Sequence, residues 1–248
     1  MGDAASAVPA LRRALTPGVE EKALARLARD PQITRQLEQF SRAVSRATDI
    51  RAALRDPRVM NVLLPALGMP DAVGQTGLAI RALLSDPKDS NGLLAKLPDR
   101  RWKSAAATLN LKEKGLAALR DPAVQARLAE GLRQVTWQKG LDADQPGISD
   151  AIYFQEHAAA AKSVYDVLGD PILRRVVTGA LGLPAQIAIQ PVETQARAVT
   201  SRLDLAGLKD ERQVQKLMER YVVSAANSAT AGGAGASLPG LLAGGLLV

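Results

Sequence analysis

The chain has a single histidine, His157, and it is the first candidate for a catalytic or metal-binding residue. A helix that begins near Ile148 places His157 roughly opposite its apolar face, because successive residues are about 100° apart around a helix. The neighbouring Glu156 points elsewhere, and no second ligand lies four residues away to complete a metal site. We therefore interpret His157 as a solvated helical residue.

Three close pairs of acidic residues are candidates for acid–base catalysis. They are Glu20-Glu21, Asp142-x-Asp144 and Asp210-Glu211. Each pair is predicted where a helix begins or a loop runs, and carboxylates at a helix start stabilise the helix dipole. Nothing in the neighbouring sequence indicates burial or a shifted pKa, so a catalytic role is disfavoured.

Other reactive sites need residues that this sequence lacks. The chain has no cysteine, which excludes a zinc–thiolate site and a cysteine nucleophile. The stretch AGGAGAS lacks the Lys-Ser/Thr ending of a phosphate-binding loop. The sequence therefore predicts no catalytic, cofactor-binding or metal-binding residue, and it favours a non-enzymatic protein.

Basic residues form the main candidate binding feature. Eight arginines lie within 33 residues: Arg26, Arg29, Arg35, Arg42, Arg46, Arg51, Arg55 and Arg58. The apolar period over residues 31–47 predicts a helix with Arg35, Arg42 and Arg46 on the face opposite its apolar side. The simplest interpretation of this face is a solvated surface. As a binding site, we predict that these three residues contact a protein partner with an acidic surface.

The same residues leave nucleic-acid binding open as the alternative, through phosphate contacts. Aromatic side chains for base stacking make up only 3% of the chain, and acidic residues are interleaved with the arginines. Protein binding is therefore the leading hypothesis, and a basic nucleic-acid-binding or regulatory protein is the second.

The composition indicates an all-α fold. Apolar residues make up 47% of the chain, and they are mostly Ala, Leu and Val with few aromatics. The formal net charge is +7, and the whole excess lies in residues 1–112, which hold 18 Lys or Arg against 11 Asp or Glu. We expect no membrane span, because no apolar stretch is long enough, and no cleaved signal peptide, because the N-terminus lacks a basic region before an apolar one.

A repeated phrase predicts how the helices begin and end. LRDPRVMNVLLPALGMP begins at Leu54 and LGDPILRRVVTGALGLP at Leu168, with eight of 17 positions identical. In both copies Asp can cap a helix, Pro suits its first turn, and Gly can close it in a left-handed conformation. The predicted structural caps are Asp56, Pro57, Gly68, Asp170, Pro171 and Gly182.

Asp-Pro pairs and Leu-Gly-x-Pro phrases predict tight corners between short helices, because the residue before proline avoids the helical region. The Asp-Pro pairs begin at Asp30, Asp56, Asp86, Asp121 and Asp170. Gln190-Pro191 is predicted to open another helix, with Val192, Ala196, Val199 and Leu203 facing inward.

The repeat predicts two related multi-helix lobes. We assign a flexible N-terminal segment to 1–17, a basic first repeat to 18–112, a neutral second repeat to 113–227, and a flexible Gly/Ala tail with an apolar tip to 228–248. A single domain with internal pseudo-symmetry is the alternative. Leu241 and Leu242 in the tip are a second candidate docking segment, against the simpler interpretation of a frayed terminus.

Three stretches of the sequence resemble an uncharacterised family of helical bacterial proteins, known mostly from alphaproteobacteria. They are DPRVMNVLLPALGMPD, PGISDAIYFQEHAAAAKSVYDVLGDPILRRVVTGALGLP and QPVETQARAVTSRLDLAGLKDERQVQKLMERYV. The similarity covers residues 20–225 and is most specific from Pro146 to Val222.

Members of this family are often encoded among flagellar genes, and some are labelled flagellar or basal-body-rod-like proteins. The resemblance implies an all-α fold and a flagellar role, and it supplies no catalytic residues. Pro9, Pro17 and Pro31 interrupt the N-terminal stretch, so the long terminal coiled coils of axial flagellar proteins are not expected. We therefore expect an accessory, assembly or adaptor protein that is cytoplasmic or flagellum-associated.

Overall fold

The computed structural model describes residues 3–234, with side chains through residue 230. Every regular element in that range is helical, so the predicted all-α fold is confirmed. The α-helices are α1 (Ala4–Ala14), α2 (Val19–Leu27), α3 (Pro31–Arg46), α4 (Ile50–Arg55), α5 (Pro57–Ala66), α6 (Thr76–Leu83), α7 (Leu93–Lys96), α8 (Arg101–Leu109), α9 (Leu111–Lys114), α10 (Leu116–Arg120), α11 (Pro122–Asp144), α12 (Ile148–His157), α13 (Val164–Gly169), α14 (Pro171–Ala180), α15 (Val192–Thr200) and α16 (Glu211–Ala234). Short 3₁₀ helices lie at Pro70–Ala72, Ala158–Ala160, Ala185–Ile189 and Leu205–Lys209. None of the helices in residues 3–234 combines the length and apolar character that crossing a bilayer requires.

Aspartate side chains begin four of the helices that Asp-Pro pairs predict. The N-caps of α3, α5, α11 and α14 are Asp30, Asp56, Asp121 and Asp170. Each accepts a hydrogen bond from a backbone N–H in the first turn, and each is followed by a proline that has no N–H to satisfy. The fifth pair makes a corner without capping a helix, because Asp86 begins a turn and its carboxylate accepts from the backbone N–H of Lys88 at 2.8 Å.

The two helices of the repeated phrase, α5 and α14, end in the same way. Gly68 and Gly182 have φ angles of 75° and 64°, in the left-handed region that favours glycine. The backbone N–H of Met69 donates to the carbonyl oxygen of Leu64 at 2.9 Å, and Leu183 makes the equivalent bond in the second copy. Both ends are therefore Schellman motifs. The repeat as a whole stays a prediction.

The first apolar core surrounds α5, which packs against α3 on one side and α11 on another. Most of the α5 surface is apolar, so the helix is buried almost all round. Its buried side chains are Val59, Met60, Val62, Leu63, Leu64 and Pro65. Phe40 of α3 and Trp102 of α8 are the large aromatic members of this core.

The second apolar core surrounds α14, which packs against α12 and α16. α14 and α16 approach closely at Gly179, where an added Cβ would lie 2.8 Å from the ring of Tyr221. The Tyr221 hydroxyl donates to Asp150 at 2.5 Å, and Arg175 donates to the same carboxylate at 2.9 Å. The buried carboxylate of Asp150 is thus supplied with the partners that burial demands.

The N-terminal segment corrects the prediction of flexibility over 1–17. α1 packs against α16, with Ala7, Leu11 and Ala14 buried in the second core. Pro9 lies inside this helix without ending it. Apolar residues at helical spacing gain burial, and that gain outweighs the backbone hydrogen bond that the proline removes.

The prediction of a flexible tail is wrong over residues 228–234, because α16 continues through Ala234. Residues 228–234 of the predicted tail are therefore helical. Leu241 and Leu242 lie outside the described residues.

Helix α11 belongs to both cores. Its first half contributes Val124, Leu128, Leu132 and Val135 to the first core, whereas Trp137 belongs to the second. The boundary between the cores therefore falls within α11, later than the predicted boundary between 112 and 113. Because α11 has 23 residues, its apolar side chains contact the first core along one part of the helix and the second core along the next.

We predict opposite effects for two glycines of α11. A Cβ at Gly131 would lie 3.0 Å from the Ala66 carbonyl carbon and would overlap its oxygen, so Gly131→Ala should cost about 2 kcal/mol of stability through overpacking. Gly140 has no atom within 4 Å of such a Cβ, so Gly140→Ala should gain about 0.5–1 kcal/mol from helix propensity. Urea unfolding of both variants measures this, and equal effects would contradict the close approach of α11 and α5.

Candidate functional site

The predicted arginine face lies on α3 as a solvent-exposed surface. Arg35, Arg42 and Arg46 are all exposed on this helix. Arg42 is paired with Glu38 at 2.7 Å, so part of its charge is compensated within the helix. No ion pair within 4.0 Å connects Arg35 or Arg46 to a carboxylate of residues 3–230. The structure therefore places the three residues together but leaves only two of them uncompensated.

Helix α4, which follows α3 in the chain, carries two further exposed arginines. Arg51 and Arg55 are exposed, one turn apart, and neither forms an ion pair with the described carboxylates. Arg58 pairs with the cap Asp56 at 2.6 Å and is therefore partly neutralised. We use the name α3–α4 basic surface for Arg35, Arg46, Arg51 and Arg55.

A cleft of about 370 Å³ separates the two cores. Its lining includes Gly68, Arg101, Ser104, Gly131, Tyr153 and Asp170. Two of the predicted caps, Gly68 and Asp170, thus also lie in this cleft, one from each copy of the repeated phrase. Sequence reasoning assigned them structural roles only.

Arg101 is the central polar residue on the first-core side of the cleft, and only 8% of it is exposed. Its guanidinium donates to Asp71 at 2.8 and 3.0 Å, to Asp99 at 2.9 Å and to the Gly68 carbonyl oxygen at 3.0 Å. Burial disfavours the charged form of Arg101, but the hydrogen bonds to Asp71 and Asp99 favour that form more strongly, so the pKa of Arg101 is raised. The last bond also satisfies a carbonyl beyond the end of α5, so Arg101 joins α5, the 3₁₀ helix Pro70–Ala72 and the start of α8.

Tyr153 and Asp170 form the second-core side of the cleft. The Tyr153 hydroxyl donates to Asp170 at 2.7 Å, while the other carboxylate oxygen of Asp170 caps α14. Burial, together with this hydrogen bond to a carboxylate, raises the pKa of Tyr153. Both side chains are thus committed to holding α12 against α14.

His157 lies at the outer edge of the cleft and is exposed, as the sequence predicts. Its ring stacks on Tyr153 with centroids 3.9 Å apart. Its Nδ1 lies 2.9 Å from the Tyr153 carbonyl oxygen and must donate there, because a carbonyl can only accept. The ring is therefore anchored through one nitrogen.

The acidic pair at Asp142 and Asp144 departs from its prediction. Both residues lie in the last turn of α11, and Asp142 accepts from the backbone N–H of Ser149 at 2.9 Å and from its hydroxyl. Burial raises the pKa of Asp142, although the bonds from Ser149 oppose the rise. The prediction that burial and a shifted pKa are absent is therefore wrong for Asp142. The other two pairs do begin helices, with Glu20-Glu21 in the first turn of α2 and Asp210-Glu211 at the start of α16.

A second groove of about 660 Å³ lies between α7–α8 and α13–α15, so both cores contribute to it. We call it the basic groove, and its basic residues are Lys96, Arg100, Lys103 and Arg174. Arg100 crosses between the cores to pair with Asp166 at 2.8 Å. At the floor, Gly169 faces the Pro98 carbonyl oxygen, which would lie 2.9 Å from a Cβ added there.

Apolar residues Tyr165 and Val192 also line the basic groove, and sequence reasoning missed this site. The sequence predicts that Val192 faces inward, whereas 43% of it is exposed. Helical spacing correctly placed Ala196 and Val199 in the second core, but the described residues leave Val192 at the start of α15 exposed. Leu203 lies beyond the end of α15 and is only partly buried. The cluster of basic residues around Arg100 was the feature of the sequence that could have indicated this groove.

These features define an all-helical protein with two adjoining apolar cores, a cleft between them and two basic surfaces. The chain matches, over residues 66–214, the family described as protein of unknown function (DUF1217), and it belongs to that family. The predicted resemblance to a helical family of unknown function is thereby confirmed. A search of curated proteins found no match.

A similar fold occurs in a protein from the alphaproteobacterium Agrobacterium tumefaciens, whose X-ray crystal structure was determined by a structural genomics consortium. The two structures align with a TM-score of 0.71 at 24% sequence identity, over 90% of this chain and 94% of that one. The likeness shows that the fold is shared.

We predict that Arg101 contributes far more to the free energy of unfolding than an arginine in an exposed ion pair. Arg101→Met leaves Asp71 and Asp99 without their cation and should lower the free energy of unfolding by about 2–3 kcal/mol. The control Arg42→Met removes an exposed pair and should cost about 0.5 kcal/mol or less. Equal losses in urea unfolding would contradict the structural role of Arg101.

The pH dependence of stability should reveal the Asp71 contribution. Burial opposes ionisation of Asp71, but hydrogen bonds and charge from Arg101 prevail and lower its pKa below the ordinary 3.8. The stability due to the ionised form is therefore present above the unfolded-state pKa and lost as pH falls through the folded-state pKa. Asp71→Asn should thus cost more at about pH 6 than at about pH 3. An unchanged difference in urea unfolding at the two pH values would refute this.

Proposed function

We propose that this protein is non-enzymatic and acts by binding another protein, as an accessory, assembly or adaptor component associated with the bacterial flagellum. The observation that carries the binding proposal is the α3–α4 basic surface, whose four arginines are exposed and lack ion pairs with the described carboxylates. The flagellar part is supported by the family resemblance, because related genes often lie among flagellar genes.

An acidic protein surface is the partner that suits this arrangement. A guanidinium presents its donors in a planar fork that matches a carboxylate, and it keeps its charge at all physiological pH values. Internal pairing has already neutralised Arg42 and Arg58 in part, so the remaining four residues dominate the field outside α3 and α4. Such a field selects acidic partners and speeds their association.

The bonding of the cleft supports a non-enzymatic protein. Arg101, Tyr153 and Asp170 line the cleft and could do chemistry. His157 and Glu156 also line it, and burial raises the pKa of Glu156. All of these except Glu156 are bonded to a backbone group or to another of the structural side chains. Bonds of this kind hold each side of the cleft in place.

Nucleic-acid binding is the second candidate, favoured by the same uncompensated arginines, which phosphates could also engage. The aromatic residue of α3, Phe40, is buried in the first core and offers no platform for base stacking. Contacts on this surface would therefore involve the phosphate backbone alone.

The test is affinity capture of the tagged full chain from nuclease-treated extracts of its native host, read by mass spectrometry. We expect flagellar export, rod or motor components to be captured by the native chain. The double variant Arg35→Glu/Arg46→Glu should lose them, because it reverses two uncompensated charges. The matched control Arg212→Glu/Lys216→Glu reverses two exposed charges on α16 and should retain capture.

Two results would overturn the proposal. Retention of the same partners by Arg35→Glu/Arg46→Glu would remove the α3–α4 basic surface as the binding site. Binding of the purified chain to a short DNA duplex, with a steep loss as salt increases, would favour the nucleic-acid alternative if no flagellar protein is captured.

A further inference from the structure

Two of the three exposed large apolar side chains of the described residues line the basic groove. The three are Tyr165, Ile189 and Val192, with exposed fractions of 50%, 83% and 43%. Tyr165 and Val192 line the groove itself. Ile189 ends the 3₁₀ helix Ala185–Ile189, three residues before Val192. Scattered exposed apolar residues need no explanation, but a group of them beside one groove is typical of a binding surface.

The charges of the groove have one sign. Lys96, Lys103 and Arg174 have no carboxylate within 4.0 Å in the described part of the chain, and the residues that line the groove include no Asp or Glu. Arg100 is compensated by Asp166, which fixes it between the cores. A concave surface lined by cations of one sign focuses its field and attracts anionic groups.

The walls of the groove are held in place by contacts that need no ligand. The Gln195 side chain donates to the carbonyl oxygens of Gln190 at 2.8 Å and Ala188 at 3.3 Å, which secures the approach to α15. Gly169 packs against the backbone at Pro98, and an ion pair joins the exposed Arg100 to Asp166 across the two cores. A preformed groove loses little conformational entropy when it is occupied.

We propose that the basic groove binds an acidic segment of a protein partner. Apolar side chains of the segment cover Tyr165 and Val192, and its carboxylates pair with Lys96, Lys103 and Arg174. The inference deepens the proposed protein-binding function and rests on it, and it adds a second site and the chemistry of the bound segment.

Charge distinguishes this occupant from two others. Residues 235–248 of the chain contain no Asp or Glu, so that segment has no side chain to pair with the cations. A second copy that presented the same groove in a symmetric contact would bring cation against cation. An acidic segment with apolar side chains satisfies both features of the groove.

The experiment is selection of peptides from a random display library on the immobilised full chain, followed by affinity measurement with the selected peptides in synthetic form. We expect the selected sequences to combine several Asp or Glu with at least two large apolar residues. Lys103→Glu/Arg174→Glu should weaken their binding by about tenfold or more. Val192→Ser should weaken it several-fold with little change in stability, because Val192 is already exposed.

The control Arg212→Glu/Lys216→Glu should bind the peptides as the native chain does. The inference is overturned if the selected peptides are basic or uncharged, if selection yields none, or if the groove variants bind them unchanged. It is also overturned if a peptide of residues 235–248 displaces the selected peptides, or if sedimentation shows a dimer that Val192→Ser dissociates.

The outcome can be separated from that of the host-extract experiment. If Arg35→Glu/Arg46→Glu abolishes capture of flagellar proteins while the groove variants leave it intact and bind the selected peptides as the native chain does, the proposed function stands and the groove inference falls. If no host protein is captured but acidic peptides bind the groove and fail to bind its variants, the groove inference stands without the flagellar role.

Discussion

The buried guanidinium of Arg101 is the interaction on which the first-core side of both the cleft and the basic groove depends. A buried cation needs a full set of acceptors, and the acceptors of Arg101 come from just beyond the end of α5, from the 3₁₀ helix after it and from Asp99, two residues before α8. Satisfying this one side chain therefore fixes the start of α8. The neighbours of Arg101 on that first turn, Arg100 and Lys103, project from a fixed point into the basic groove.

Helix α11 provides the second constraint, because it is shared by both cores. Its close backbone approach to α5 at Gly131 sets the depth of the first core, and Trp137 carries the same helix into the second. Gln134, between these two positions, donates to Glu20 of α2 at 2.6 Å. Since one rigid helix runs through both cores, the cleft and the groove between them have walls whose spacing is set by packing and not by a linker.

The parts of this structure that the sequence predicts are those governed by neighbouring residues. Asp56 and Asp170 cap helices, and Gly68 and Gly182 end them, through bonds that span only a few positions. The docking of α1 and the exposure of Val192 depend instead on distant segments: α1 is covered by α16, whereas Val192 is left uncovered by the described part of the chain. Helical period identifies an apolar face, but it does not say whether another element will reach that face. The basic groove escaped prediction for the same reason, since its two walls come from segments far apart in the chain.

The two basic surfaces differ in what they can contribute to binding. The α3–α4 basic surface carries charge over a buried apolar core, and exposed charges mainly raise the rate of encounter with an acidic partner. The basic groove adds exposed apolar side chains to its cations, and burial of apolar area is what lengthens the life of a complex. A partner that has both acidic and apolar residues in one segment would gain speed from the first surface and residence time from the second. The whole excess of positive charge lies in residues 1–112, so the first half of the chain supplies most of the cations of both surfaces. The second half supplies the exposed apolar residues that a bound segment would contact.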